Sequence, residues 1–229
     1  MYICRKPTDM KNLLFFSSLI LLLSSASCRK KCPPDKKIGE KPLTEKSLRF
    51  FAYSGNPKLI FKDETGQELT FTSQEGVRTE VNKISVYKQC TEVKFDGQSS
   101  YKYFEGSSKF ITFFSTPSQF SINIGLYTSI LRPEKELFYD KLTVDVMEVG
   151  SVGHGELITD IRFTDSYEES EFNITDPLTQ VDTITLNGQG FTDVYQTDSF
   201  EGRQVYYNKQ KGIVGFKTLT KTYHLDRIE

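Results

Sequence analysis

The sequence predicts an all-β protein, an antiparallel sandwich or curved half-barrel of about ten short strands. Three observations carry this. Phe120, Ile122, Ile124 and Leu126 alternate with polar or small residues, and a strict period of two places all four on one face of a strand. Turn signals such as Ser54-Gly55-Asn56-Pro57 and Asp63-Glu64-Thr65-Gly66 recur between apolar runs. The chain holds 18 Phe and 12 Tyr, residues that favour pleated, half-buried surfaces, and no helical stripe of useful length competes with them.

The chain opens on a different pattern. Met10-Lys11-Asn12 precedes an apolar run from Leu13 to Leu23, which gives way to Ser24-Ser25-Ala26-Ser27-Cys28. A charged start, a short apolar middle and a small-residue exit make a secretory signal. The run is about half the ~20 apolar residues that a spanning helix needs, so a permanent transmembrane helix is the weaker reading. Lys11 supplies the positive charge if translation starts at Met10; a start at Met1 adds Arg5 and Lys6, offset by Asp9.

Small residues directly before a cysteine resemble the signals of bacterial, Gram-negative lipoproteins. Ala26 and Ser27 fit that pattern, whereas Ser25 stands where an aliphatic residue is commoner. The resemblance implies that the Cys28 thiol receives diacylglycerol, that residues 1–27 are removed, and that fatty acids such as palmitate anchor the product. Each buried methylene contributes ~0.8 kcal/mol, and two or three chains hold where one does so only marginally. The expected location is the bacterial envelope, lipid-anchored at the outer membrane and facing the periplasm or the surface. The other reading is an ordinary signal cut near Ala26, with Cys28 an early cysteine.

Residues 28–46 follow as a tether. Arg29-Lys30-Lys31-Cys32-Pro33-Pro34-Asp35-Lys36-Lys37 is rich in charge and proline, a composition that cannot bury a core. Its basic residues suit either contact with anionic headgroups or plain solvation. Cys4 leaves with the signal and Cys28 takes lipid, which leaves Cys32 and Cys90 in an oxidising compartment. Either the two are bonded, closing a long loop for about 4 kcal/mol, or both stay free. Spacing does not choose between these.

From residue 47 to Glu229 the reading is one all-β domain. From Leu48 onward the pattern is strand after strand: Leu48 to Tyr53 is an aromatic-rich run, and Leu59-Ile60-Phe61 and Leu69-Thr70-Phe71 flank the Asp63 to Gly66 hairpin signal. A polar-alternating stretch runs from Val77 to Phe95 and ends at Asp96-Gly97. Glu105-Gly106-Ser107-Ser108 separates Tyr101–Phe104 from Phe110–Phe114. After the Phe120 strand, Pro133 to Asp140 offers a brief helical turn with proline in its first turn. Leu142, Val144 and Val146 alternate, as do Leu157, Thr159, Ile161 and Phe163. Later runs are Ile184 to Leu186, Phe191 to Tyr195, Val205 to Tyr207, Ile213 to Phe216, and Tyr223 with Leu225.

Little in these residues points to catalysis. A formal net charge of −1 and a pI near 6.2 are not a nucleic-acid-binding profile. The two histidines, His154 and His224, lie far apart without a cysteine pair, which is no zinc spacing. Gly153-His154-Gly155-Glu156 reads as an exposed turn that presents an imidazole beside a carboxylate, and His224 as a residue of the last strand. No Gly-x-Ser-x-Gly elbow occurs, and Cys90 suits strand packing better than nucleophilic attack. The acidic stretch Asp165 to Asp176 lacks calcium-loop spacing and reads as a solvated loop. Asn173-Ile174-Thr175 matches a glycosylation acceptor that a bacterial source makes irrelevant. No cofactor, metal or catalytic residue is assigned.

Two further resemblances bear on function. Val205-Tyr206-Tyr207, a basic turn, then Gly212-Ile213-Val214-Gly215-Phe216 resembles a hairpin of uncharacterised bacterial surface lipoproteins, with Tyr223-His224-Leu225 as the closing strand. In length, strand number and anchoring, the chain is also similar to half-barrel lipoprotein carriers of the outer-membrane localisation pathway. The leading expectation is a non-enzymatic envelope lipoprotein, held to the membrane by Cys28, that binds an envelope protein or ligand. The alternative is an apolar-ligand or lipid carrier with a hollow sheet.

Overall fold

The computed structural model describes residues 32–91, 98–117, 119–148, 151–162, 177–199 and 201–229. The chain divides into two compact units, one of residues 1–36 and 88–101, the other of 37–87 and 102–229. The described strands are β1 (Lys36–Lys41), β2 (Lys58–Lys62), β3 (Glu68–Thr72), β4 (Arg78–Thr91), β5 (Ser99–Thr116), β6 (Phe120–Arg132) and β7 (Leu137–Glu148). They continue with β8 (Ser151–Arg162), β9 (Thr179–Leu186), β10 (Gln189–Gln196), β11 (Gln204–Asn208), β12 (Gly212–Lys217) and β13 (Thr222–Ile228). A single-turn helix, α1 (Glu45–Leu48), lies between β1 and β2.

Eleven strands form one antiparallel path in the order β8-β7-β6-β5-β3-β2-β13-β12-β11-β10-β9, while β1 and β4 pair with β5 off that path. The sheet curls into a half-barrel. The Leu178 N–H, just before β9, donates to the Glu156 carbonyl of β8 at 2.8 Å, so the two ends of the path meet. Gly155 permits this approach. A Cβ there would lie 2.6 Å from Leu178 and 2.7 Å from Thr197.

The alternations read from the sequence face inward. Phe120, Ile122, Ile124 and Leu126 of β6 are buried beside Leu142, Val144 and Val146 of β7, with Ile122 opposite Val146 and Ile124 opposite Val144. From the other limb come Val205, Tyr206, Tyr207, Ile213, Val214 and Phe216, all at 1% exposure or less. Phe61, Phe71 and Phe216 interlock edge to face at 5.4 to 6.1 Å, a geometry that adds ~0.5–1.5 kcal/mol per pair beyond area burial.

Three expectations are corrected. Glu105-Gly106-Ser107-Ser108 does not break the chain into two strands; it lies within the 18-residue β5. Its small residues instead make room, since a Cβ on Gly106 would meet the Ile84 side chain of β4. Leu48 to Tyr53 is not a strand but leaves α1 through a turn and packs Phe51 and Tyr53 into the core. Finally, the tether of residues 28–46 holds ordered elements, β1 and the first residues of α1. β1 gains from tertiary partners what its composition lacks. Lys37 bonds to Glu105, and the Lys41 ammonium sits 4.8 Å above the Phe138 ring centroid.

Candidate functional site

Cys28, the acidic stretch Asp165 to Asp176 and Asn173 lie outside the described residues. Cys32 and Cys90 are disulfide-bonded, with Cα atoms 5.6 Å apart. In the same unit the Tyr101 N–H donates to Asp35 at 3.0 Å.

His154 is not in a turn. It occupies β8 opposite Asp145 of β7, and its Nδ1 contacts the Asp145 carboxylate. Nε2 lies 3.5 Å from Glu156 Oε1, which also takes the Lys141 ammonium at 2.6 Å. Lys141, Thr143 and Asp145 alternate with the buried Leu142 and Val144, so this row lies on the outer face. It staples β7 to β8. His224 sits on β13, its ring 3.3 Å from Asn187 Nδ2, and burial pulls its pKa below the ordinary imidazole value. Among the described residues, no three His, Cys, Asp or Glu side chains converge as a metal site.

Among the described residues, the inner face of the sheet carries packed side chains. One cluster joins both limbs of the sheet, from Leu59 and Phe61 through Ile122 and Val144 to Tyr207 and Phe216. Residues 43–53 fill it further. Leu43 and Phe50 pack against the cluster, and Phe51 and Tyr53 belong to it. The Tyr207 hydroxyl donates to the Phe50 carbonyl at 2.5 Å. A void beside Phe120, Val146, Val205 and Phe216 measures only about 10 Å³, room for one water at most.

α1 is held by a buried polar knot. Asp140, fully buried, accepts the Thr44 N–H at 2.9 Å and the Thr128 hydroxyl at 3.0 Å, and pairs with Arg162. Thr44 caps α1 through the Ser47 N–H, and the Thr159 hydroxyl donates to Ser47 Oγ at 2.8 Å.

Among the described residues, two concavities open on the surface. One of about 290 Å³ is lined mostly by polar residues around Asp63 and Lys221, together with Phe120 and Tyr223. Asp63 is 2% exposed, accepts the Thr65 and Gln67 N–H groups at 2.9 Å and bonds to the Lys221 ammonium at 2.6 Å. The Lys221 ammonium, then the Thr65 hydroxyl, hold its carboxyl well below the usual carboxylate range. The second, about 250 Å³, lies between Ser73 to Gly76 and Phe114.

A third surface feature is a set of lysines over aromatic rings beside residues 50–53. Lys209 lies 4.1 Å from the Phe50 ring centroid and 5.3 Å from that of Tyr195. Lys109 lies 4.9 Å from Phe51, and Lys211 5.8 Å from Phe191. The turn carrying two of these lysines is visible in the sequence as the basic turn between β11 and β12. Lys109 is not, because only the curl of the sheet brings it to residues 50 and 51. No family model matches the chain, and no curated protein or solved structure does.

Proposed function

We propose that the chain is a non-enzymatic envelope lipoprotein of the bacterial outer membrane, anchored by lipid on Cys28, whose all-β domain binds a partner at its surface. The observation that carries this reading is the run from Met10 to Cys28, where a short apolar segment exits through small residues onto a cysteine. Binding at the surface is favoured because aromatic and aliphatic side chains occupy the space inside the half-barrel. A ligand cavity is ~300–1,000 Å³ and mostly apolar, unlike the concavity around Asp63 and Lys221.

The alternative, an apolar-ligand or lipid carrier, draws on the curled sheet itself. It requires residues 43–53 to leave the interior and take about four packed apolar side chains with them, a large cost at ~1.5–3 kcal/mol for each. The test is metabolic labelling with palmitate. Label should follow the wild-type protein and be absent from Cys28→Ala, and an unlabelled wild type would overturn the anchor. Lipid extraction of the purified protein separates the two binding modes: a carrier releases noncovalent lipid, a surface binder does not.

A further inference from the structure

We infer that Lys109, Lys209 and Lys211, with the aromatic rings beneath them, form a face that docks onto the anionic headgroups of a lipid bilayer. This rests on the envelope reading only for the presence of such a surface. The three ammonium groups stack on Phe51, on Phe50 and Tyr195, and on Phe191. Among the described residues no carboxylate lies within ion-pairing distance of any of them. Lys37, Lys46, Lys58, Lys62, Lys141 and Lys221 by contrast each meet an acid, while Lys41 and Lys217 stack singly on rings elsewhere in the domain.

The lysines are held in place rather than trailing in solvent. Asn208 Oδ1 accepts the Gln210 and Lys211 N–H groups at 2.8 and 3.0 Å, and its Nδ2 donates to the Thr192 carbonyl at 2.9 Å. That fixes the β11–β12 turn over β10. The Phe50 carbonyl is held in turn by the Tyr207 hydroxyl, and the Phe50 ring centroid is 6.1 Å from that of Tyr195. A lysine ammonium is attracted to an aromatic face without a counter-carboxylate while its stem covers the ring. Cations backed by aromatic and apolar surface match the chemistry of an anionic headgroup layer, where each lysine contributes about five-fold in binding (~1 kcal/mol) and salt screens the effect.

The test is lysine footprinting with acetic anhydride on the full chain, mixed with vesicles of phosphatidylcholine with or without phosphatidylglycerol. Acetylation of Lys109, Lys209 and Lys211 should slow several-fold on the anionic vesicles relative to Lys58 and Lys135. The protection should vanish in high salt and on neutral vesicles, and Lys209→Glu should strip most of it from the other two. Equal reactivity on both vesicle types would overturn the proposal. So would equal protection by inorganic phosphate alone, which would mean a small-anion site. The intact mass of the same sample reports acylation separately, so loss of the anchor and loss of this face are read apart.

Discussion

The Ile213 amide donates to the Tyr53 hydroxyl at 2.8 Å, joining the segment that fills the half-barrel to the β11–β12 hairpin. Tyr53 is 3% exposed, so the amide has no water to turn to. Removing the hydroxyl leaves a buried donor unsatisfied, at a cost of about 1–3 kcal/mol. Tyr53→Phe should therefore lower the urea midpoint with an unchanged slope. An unchanged midpoint would mean that residues 50–53 do not support the core.

The pair of Asp140 and Arg162 is a second dependency. Breaking a buried pair from one side strands a charge and costs about 3–5 kcal/mol. Asp140→Ala should lose this much and release α1 as well, because Thr44 loses its acceptor. Arg162→Met combined with Asp140→Leu should cost less than the two single changes summed, a non-additivity that a double-mutant cycle measures.

Acid sensitivity should trace to Asp63. Its folded-state pKa is depressed by Lys221, so its contribution is present above the unfolded carboxylate value of ~3.9 and is lost as pH falls below it. Urea midpoints taken at about pH 6 and about pH 3 should fall more steeply in the wild type than in Asp63→Asn. Lys221, raised by the same bond, makes the contribution fade again above ~10.4. Parallel acid limbs in the two proteins would remove Asp63 from the account.

The bond between Cys32 and Cys90 closes a loop across 58 positions, worth about 4 kcal/mol in the chain-entropy treatment. Non-reducing peptide mapping should recover the two cysteines in one linked fragment. Reduction should raise amide exchange in residues 88–91 and 99–101. Two free thiols in the mature protein would contradict the bond.

Much of the fold is legible because one face of each central strand is buried. The period of two at Phe120 to Leu126 and at Leu142 to Val146 survives directly as β6 and β7. The hairpin at Asp63 to Gly66 is legible too, because Asp63 ties the turn through its own side chain. What sequence reasoning misses is decided by distant partners. β1 reads as a spacer until Glu105 and Phe138 are placed beside it. Gly153-His154-Gly155 reads as a turn because glycine usually marks one, yet Gly155 serves a close approach of Leu178 and Thr197. The placing of Lys109 over Phe51 is invisible for the same reason, since only the curled sheet brings β5 to that segment.

A lipid-modified Cys28 at the mature N-terminus is the premise on which the functional reading stands, and mass spectrometry of the N-terminal peptide from membrane-extracted protein measures it most directly. The expected peptide begins at Cys28 and carries two or three acyl chains, enough for stable anchoring. A peptide that retains Leu13 to Leu23, or that begins at an unmodified residue, would contradict it.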